Sequence, residues 1–270
     1  MTGVTAWWGR VFADGLLGGN HTVVILGPTA GLDHAVIAAR LAVPDTAYVT
    51  STGSGEIVLR TFSPVEELAQ CLQTSLAALS ALGVADGQRR LVRHGGGEPM
   101  EVHREGTLTW ARELSGGPDP VPTSWPGFVR AEPAPGTQPL LLRQARSRIH
   151  LRCADSAQLE SLDIAPEQVL TLCARTGANG LVLESTADDG SQRVRVFTTS
   201  LSGREDNATG GAVLGVGRIA AAEGRRGDIA VCQGPPDRHR QSKLHLRITD
   251  SGDVLLGGTV ESLLTGRLAL

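Results

Sequence analysis

The sequence predicts an α+β protein of two similar halves, each an antiparallel sheet curled about one helix. Three observations carry this. Residues 56–63 (EIVLRTFS) and 191–198 (SQRVRVFT) echo each other, with Arg60, Phe62 and Ser63 recurring as Arg195, Phe197 and Thr198 at an offset of 135. An apolar helix rich in small side chains follows each echo. Between them, residues 115–136 (SGGPDPVPTSWPGFVRAEPAPG) hold six prolines and too little periodicity for a core element. The break sets a boundary between 118 and 119. It gives halves 1–118 and 119–270, with the last strand free to return to the first half.

A hairpin is expected in each half. Tyr48–Ser51 precedes the turn STGSG and the run 56–63; Leu181–Ser185 precedes ADDGS and the run 191–198. Paired β-rich runs around a glycine-bearing turn read as hairpins. Hairpin followed by helix, twice over, argues for a duplicated fold.

Ser63-Pro64-Val65-Glu66 reads as a capping box with proline at the first helical position. Val65, Leu68, Leu72, Leu76 and Leu79 then recur at three- and four-residue steps, and Gly83 ends the run, so a helix is expected over Pro64–Leu82. The second helix is expected over about Ala208–Ala222, where Gly210, Gly211, Ala212, Gly215, Gly217 and Ala220–Ala222 leave little side-chain bulk. Helices this small-sided and apolar are wrapped by other structure rather than laid on a surface.

Composition narrows the function. With 25 basic and 28 acidic residues the net charge is −3, and aromatics are 3% of the 270 residues. That suits neither phosphate-backbone contacts nor base-stacking platforms, so no nucleic-acid partner is expected. Gly 34 and Pro 14 favour many turns and short strands. Lys243 is the only lysine, which excludes any Schiff-base chemistry elsewhere. Cys71, Cys153, Cys173 and Cys232 form no CxxC pair, so no zinc site is expected, and buried small hydrophobes is the plain reading. Neither a signal peptide nor a run of ~20 apolar residues is visible, so a cytoplasmic protein with free thiols and no membrane partner is expected.

Gly210-x-x-x-x-Gly215 lacks the lysine and threonine of a phosphate loop, and helix packing explains its glycines better. Glu205-Asp206-Asn207-Ala208-Thr209-Gly210-Gly211 is more informative, because it ends a loop and begins an apolar helix. The N–H groups of Thr209, Gly210 and Gly211 would be open to a carboxylate or phosphate. Plain N-capping by Asp206 or Asn207 is the alternative.

Taken together, these segments resemble the PhzF-type isomerases of phenazine biosynthesis, within the diaminopimelate-epimerase-like fold. VFADGLLGGNHTVVIL, with Gly19-Asn20, resembles the family's opening strand-loop-strand. Val43-Pro44-Asp45-Thr46-Ala47-Tyr48-Val49 resembles the segment carrying its catalytic carboxylate. Arg60–Leu68 resembles the approach to the first central helix, and Arg195–Gly211 the approach to the second, the most specific match. Gln233-Gly234 and Arg240-Gln241-Ser242 resemble a late family signature.

The resemblance implies two pseudo-symmetric barrel-like halves, each around a central helix, with the active site between them and neither metal nor organic cofactor. It implies that Asp45 moves a proton from one substrate carbon to another and that Asp206 is a second acid nearby. Asn20, His21, Leu72, Gln73, Thr209, Gly210 and Gly211 are the implied substrate-binding residues, His21 standing where proline is more usual. Dimers are common in fold relatives, leaving room for a homodimer, although no sequence feature marks an interface. His94, His103, His239 and His245 earn no role.

Three positions depart from the family pattern. Asp45 replaces the usual glutamate and reaches about 1 Å less far, Leu72-Gln73 replaces a Gly-His pair, and Gly211 stands where serine is common. Gln73 can hydrogen-bond but cannot exchange a proton, and serine at 211 would on this basis be tolerated. The expected function is a cofactor-independent isomerase that shifts a double bond in a small carboxylated metabolite of a specialised pathway. Relatives of this kind act on alkylated pyrroline carboxylates in antibiotic assembly. A non-catalytic small-molecule binder on the same scaffold is the alternative. An amino-acid epimerase needs a cysteine at each helix start, and Thr209 occupies the second place.

Overall fold

A computed structural model describes residues 3–53, 55–114, 120–235 and 237–269. The boundary expected between 118 and 119 lies outside the described residues. The described residues form two compact units, one within 3–13, 19–114 and 255–269, the other within 14–18 and 120–254.

In the first unit the chain runs β1 (Gly3–Val11), β2 (Asn20–Leu26), α1 (His34–Leu41), β3 (Asp45–Gly53), β4 (Glu56–Phe62), β5 (Glu67–Leu68), α2 (Leu72–Ala81), β6 (Arg89–His94), β7 (Met100–Glu105) and β8 (Leu108–Glu113). The second unit holds β9 (Val121–Pro122), β10 (Leu140–Leu142), β11 (Arg148–Arg152), α3 (Ser156–Ser161), α4 (Pro166–Thr176), β12 (Gly180–Thr186), β13 (Gln192–Thr198), β14 (Glu205–Asp206), α5 (Gly210–Ala222), β15 (Gly227–Gln233) and β16 (Ser242–Ile248). The final strand β17 (Val254–Ala269) joins the first unit from Leu255 onward.

Eight strands of the first unit close into a ring, β1–β2–β3–β4–β6–β7–β8–β17 and back to β1. Only β2–β3 and β4–β6 are parallel. Closure leaves the ring no unpaired edge. Helix α2 lies against β1, β2, β3, β7 and β8 and is buried from Leu72 to Leu79. A helix enclosed on all sides must be small and apolar all round, which is the pattern its sequence shows.

In the second unit β10–β11 is antiparallel, β11–β12 parallel, β12–β13 and β13–β14 antiparallel, β13–β15 parallel and β15–β16 antiparallel. This repeats, pair for pair, the order of β1–β2, β2–β3, β3–β4, β4–β5, β4–β6 and β6–β7. The repeat reaches side chains. Arg60 makes two hydrogen bonds to the Glu67 carboxylate and lies over the Phe62 ring, and Arg195 does the same with Glu205 and Phe197. The sequence echo is therefore a clamp that holds the short strand before each central helix.

The expected start of the first helix is corrected. It begins at Leu72, not Pro64. Ser63 Oγ does accept from the Glu66 N–H at 3.1 Å, as a cap would, but Ser63 N–H donates to the Glu66 carbonyl and closes a turn. The chain then returns as β5 to pair with β4, placing Leu68 beside Thr61. Capping chemistry is local and serves a turn equally well. The second helix begins at Gly210, within two residues of expectation.

Candidate active site

Asp45, the expected base, is the first residue of β3, half-buried beside Thr22 of β2. Cys71, the residue before α2, is its partner. The charge of Asp45 acts on its thiol, and Sγ accepts from the Thr74 N–H at 3.5 Å, so the side chain caps the helix. Burial, followed by the charge of Asp45, pushes the thiol pKa far above its ordinary value. Cys71 is a protonated donor here, not a thiolate.

The rest of the α2 start is tied together. Gln73 Nε2 donates to Thr22 Oγ1 at 2.8 Å, and Gln73 Oε1 accepts from Asn20 Nδ2 at 3.3 Å. Asn20 and Gln73 are thus brought together as expected of one site, and Leu72 is buried beside them. His21 is not among them. Successive residues of a strand face opposite ways, so Asn20 and Thr22 point inward while His21 is exposed and accepts from Trp8 Nε1 at 3.1 Å. His21 thus stands on the other face of β2 from the Asn20–Gln73–Thr22 cluster.

In the second unit, buried Asp206 accepts from the Ala208 N–H at 3.4 Å and from Thr209 Oγ1 at 2.7 Å. Gln233 completes the cluster. Its Oε1 accepts from the Thr209 N–H at 2.9 Å, and its Nε2 donates to the Asp206 carbonyl and to Thr209 Oγ1, both at 2.9 Å. The expected anion donors change accordingly. The N–H of Thr209 is taken by Gln233, whereas those of Gly210 and Gly211 find no acceptor among the described residues. Asp206 does not cap α5 in the ordinary sense, because it binds upstream of the first helical turn.

Arg148 of β11 is the residue that the sequence did not disclose. A Cβ at Gly211 would stand 3.2 Å from its Nη1, so a buried guanidinium lies against the first turn of α5. Helix dipole and fixed cation together favour an anion. No local pattern marks Arg148, since it belongs to a strand some sixty residues upstream. Among the described residues no three His, Cys, Asp or Glu side chains gather as a metal site would require.

Neither protein-family models nor curated proteins match the sequence. Solved structures do match the fold. A PhzF-family phenazine biosynthesis protein from Bacillus anthracis superposes with a TM-score of 0.81 at 14% identity, covering 100% of both chains. Its counterpart from Enterococcus faecalis gives 0.78 at 17% identity, again over 100% of both chains. A protein described as a predicted epimerase from Pseudomonas aeruginosa gives 0.76 at 21% identity over 99% of each. The chain has the fold of the PhzF phenazine-biosynthesis proteins, with its α+β, epimerase-like architecture.

Proposed function

We propose that the protein is an isomerase that needs no organic cofactor or metal and shifts a double bond in a small carboxylated metabolite, with Asp45 as the proton carrier. The observation that carries this is the placement of Asp45 at the head of β3, beside Thr22 and with its charge acting on the Cys71 thiol that caps the enclosed helix. Asp45 then takes a proton from a substrate carbon. The C–H electrons form the new C=C bond, the old π bond moves along, and its far carbon receives the proton back. Asp45 is neutral in between and charged again at the end, so one group is both base and acid.

Gly210 and Gly211 N–H groups, with Arg148 beside them, are suited to the substrate carboxylate, and we assign Asp206 the role of second acid. One observation argues against inversion at Cα by two cysteines: the residue capping α5, in the place equivalent to Cys71, is Thr209. The departures at Asp45, Gln73 and Gly211 from the phenazine pattern favour a different substrate, and alkylated pyrroline carboxylates of a specialised pathway are the class we favour. All four cysteines are free, which agrees with a cytosolic enzyme.

The test is exchange in D₂O with pyrroline carboxylates and small dienoic acids, followed by NMR. Deuterium at a new sp³ carbon without inversion at Cα, lost in Asp45→Asn, supports the proposal. Tight binding of a co-purifying acid with no turnover of any of these would favour a binding protein on the same scaffold. Exchange at Cα with inversion would establish an epimerase.

A further inference from the structure

His94, at the end of β6, is buried, and both of its ring nitrogens are engaged: Nδ1 with Thr61 Oγ1 at 3.1 Å, Nε2 with Ser75 Oγ at 2.9 Å. The hydroxyl directions follow from what lies beyond. Ser75 Oγ donates to the Cys71 carbonyl at 2.9 Å, so its single proton is spent, and towards His94 it can only accept. Nε2 must therefore carry the imidazole proton. Nδ1 is then an acceptor and takes the proton of Thr61 Oγ1, and Thr74 Oγ1 turns its single proton to Thr61 at 2.9 Å rather than to the Cys71 carbonyl at 3.2 Å. The Cys71 carbonyl meanwhile collects the Ser75 N–H at 3.2 Å and the Ser75 hydroxyl at 2.9 Å, filling both of its lone pairs.

We propose that His94 is a positioning residue for the Asp45–Cys71 pair, acting as its Nε2–H tautomer through Ser75 on the carbonyl of Cys71. This rests on the reading of Asp45 as the proton carrier. With the carbonyl of the cap residue held by two donors, Cys71 keeps the extended backbone (φ −149°, ψ 111°) from which Sγ accepts from Thr74 and the thiol meets the charge of Asp45. A polar chain of four side chains inside the barrel is costly unless every member is satisfied, and here each one is. Burial holds the His94 pKa down at about 4, the Cys71 carbonyl opposing weakly, so the tautomer is undisturbed at neutral pH.

Two measurements on the intact protein test this, and neither depends on knowing the substrate. The first is the ¹⁵N NMR signature of the His94 ring, which should be that of the Nε2–H tautomer at pH 7. The second is the pH profile of iodoacetamide alkylation at Cys71, read on its peptide by mass spectrometry. Ser75→Ala and His94→Phe release the cap and should move the Cys71 profile to lower pH, giving about tenfold faster alkylation at fixed pH per unit moved. His94→Gln, which can donate to Ser75 and accept from Thr61, should restore the wild-type profile. Melting temperature is read in parallel, since a merely structural histidine would lower it without moving the profile. An Nδ1–H tautomer, an unmoved profile in His94→Phe, or equal profiles for Gln and Phe would each overturn the proposal. If instead Asp45 is not the base, these readouts stand while Asp45→Asn retains turnover, so the two failures are distinguishable.

Discussion

Gly211 and Arg148 share one space: a methyl group on the glycine would sit 3.2 Å from Nη1 of the arginine, which is only 5% exposed. The glycine at this position, where the sequence resemblance implies serine, is therefore the counterpart of this buried cation. Gly211→Ser, tolerated on sequence grounds alone, should displace Arg148 and raise KM several-fold. Gly211→Pro removes the N–H as well and should raise KM further. Steady-state kinetics with wild-type KM in the serine variant would show that Arg148 does not serve the ligand.

Asp45→Asn keeps the size of the side chain and can still meet the Cys71 thiol, but it cannot accept a proton from carbon. Turnover should fall by roughly 10²–10⁴-fold with ligand affinity retained. Asp45→Glu restores the longer reach and should keep measurable activity. Wild-type rates in Asp45→Asn would remove Asp45 from the mechanism and leave Asp206 as the carboxylate to examine.

Helix α5 owes its glycines to packing. A Cβ at Gly217 would meet Val254 Cγ1 at 2.6 Å and Leu246 Cδ2 at 2.9 Å. Overpacking costs about 1–3 kcal/mol, whereas exchanging glycine for alanine within a helix returns up to about 1 kcal/mol. Gly217→Ala should therefore lower the urea midpoint with the slope unchanged. A raised midpoint would mean that Val254 and Leu246 yield to the added methyl at no cost.

Three buried groups make stability depend on pH in opposite senses. Burial lowers His94 to about 4, and burial with the Arg148 charge lowers His150 to about 3. As pH falls below 6.5 the unfolded chain binds protons that the folded one refuses, so stability drops towards those values. Burial raises Glu184 to about 7 against the pull of Arg152. From about pH 4.3 upward the unfolded chain releases a proton that the fold retains, so this contribution falls as pH rises to 7. Glu184→Gln mimics the neutral acid and should gain stability over wild type at pH 8 but not at pH 4. Equal effects at the two pH values in urea titrations would refute the assignment.

By itself the sequence determined what depends on neighbours along the chain. Both hairpins, the duplicated order, the enclosed character of α5 and the loop-to-helix passage from Glu205 to Gly211 were all legible. The duplication was read from an echo at an offset of 135, and the others rest on side-chain periodicity, turn residues or spacing within about twenty positions. Tertiary structure decided the rest, because pairing partners are not local. Ser63 carries the marks of a helix cap, yet pairing of β5 with β4 makes it a turn. His21 adjoins Asn20 in sequence, yet the pleat of β2 sends the two to opposite faces. Arg148 and His94 reach their sites from strands far along the chain, and only the register of β11 against β12 and of β6 against β4 brings them there. A shift of one residue in either ladder would turn each side chain to the other face, so no pattern within a single strand could announce where it ends.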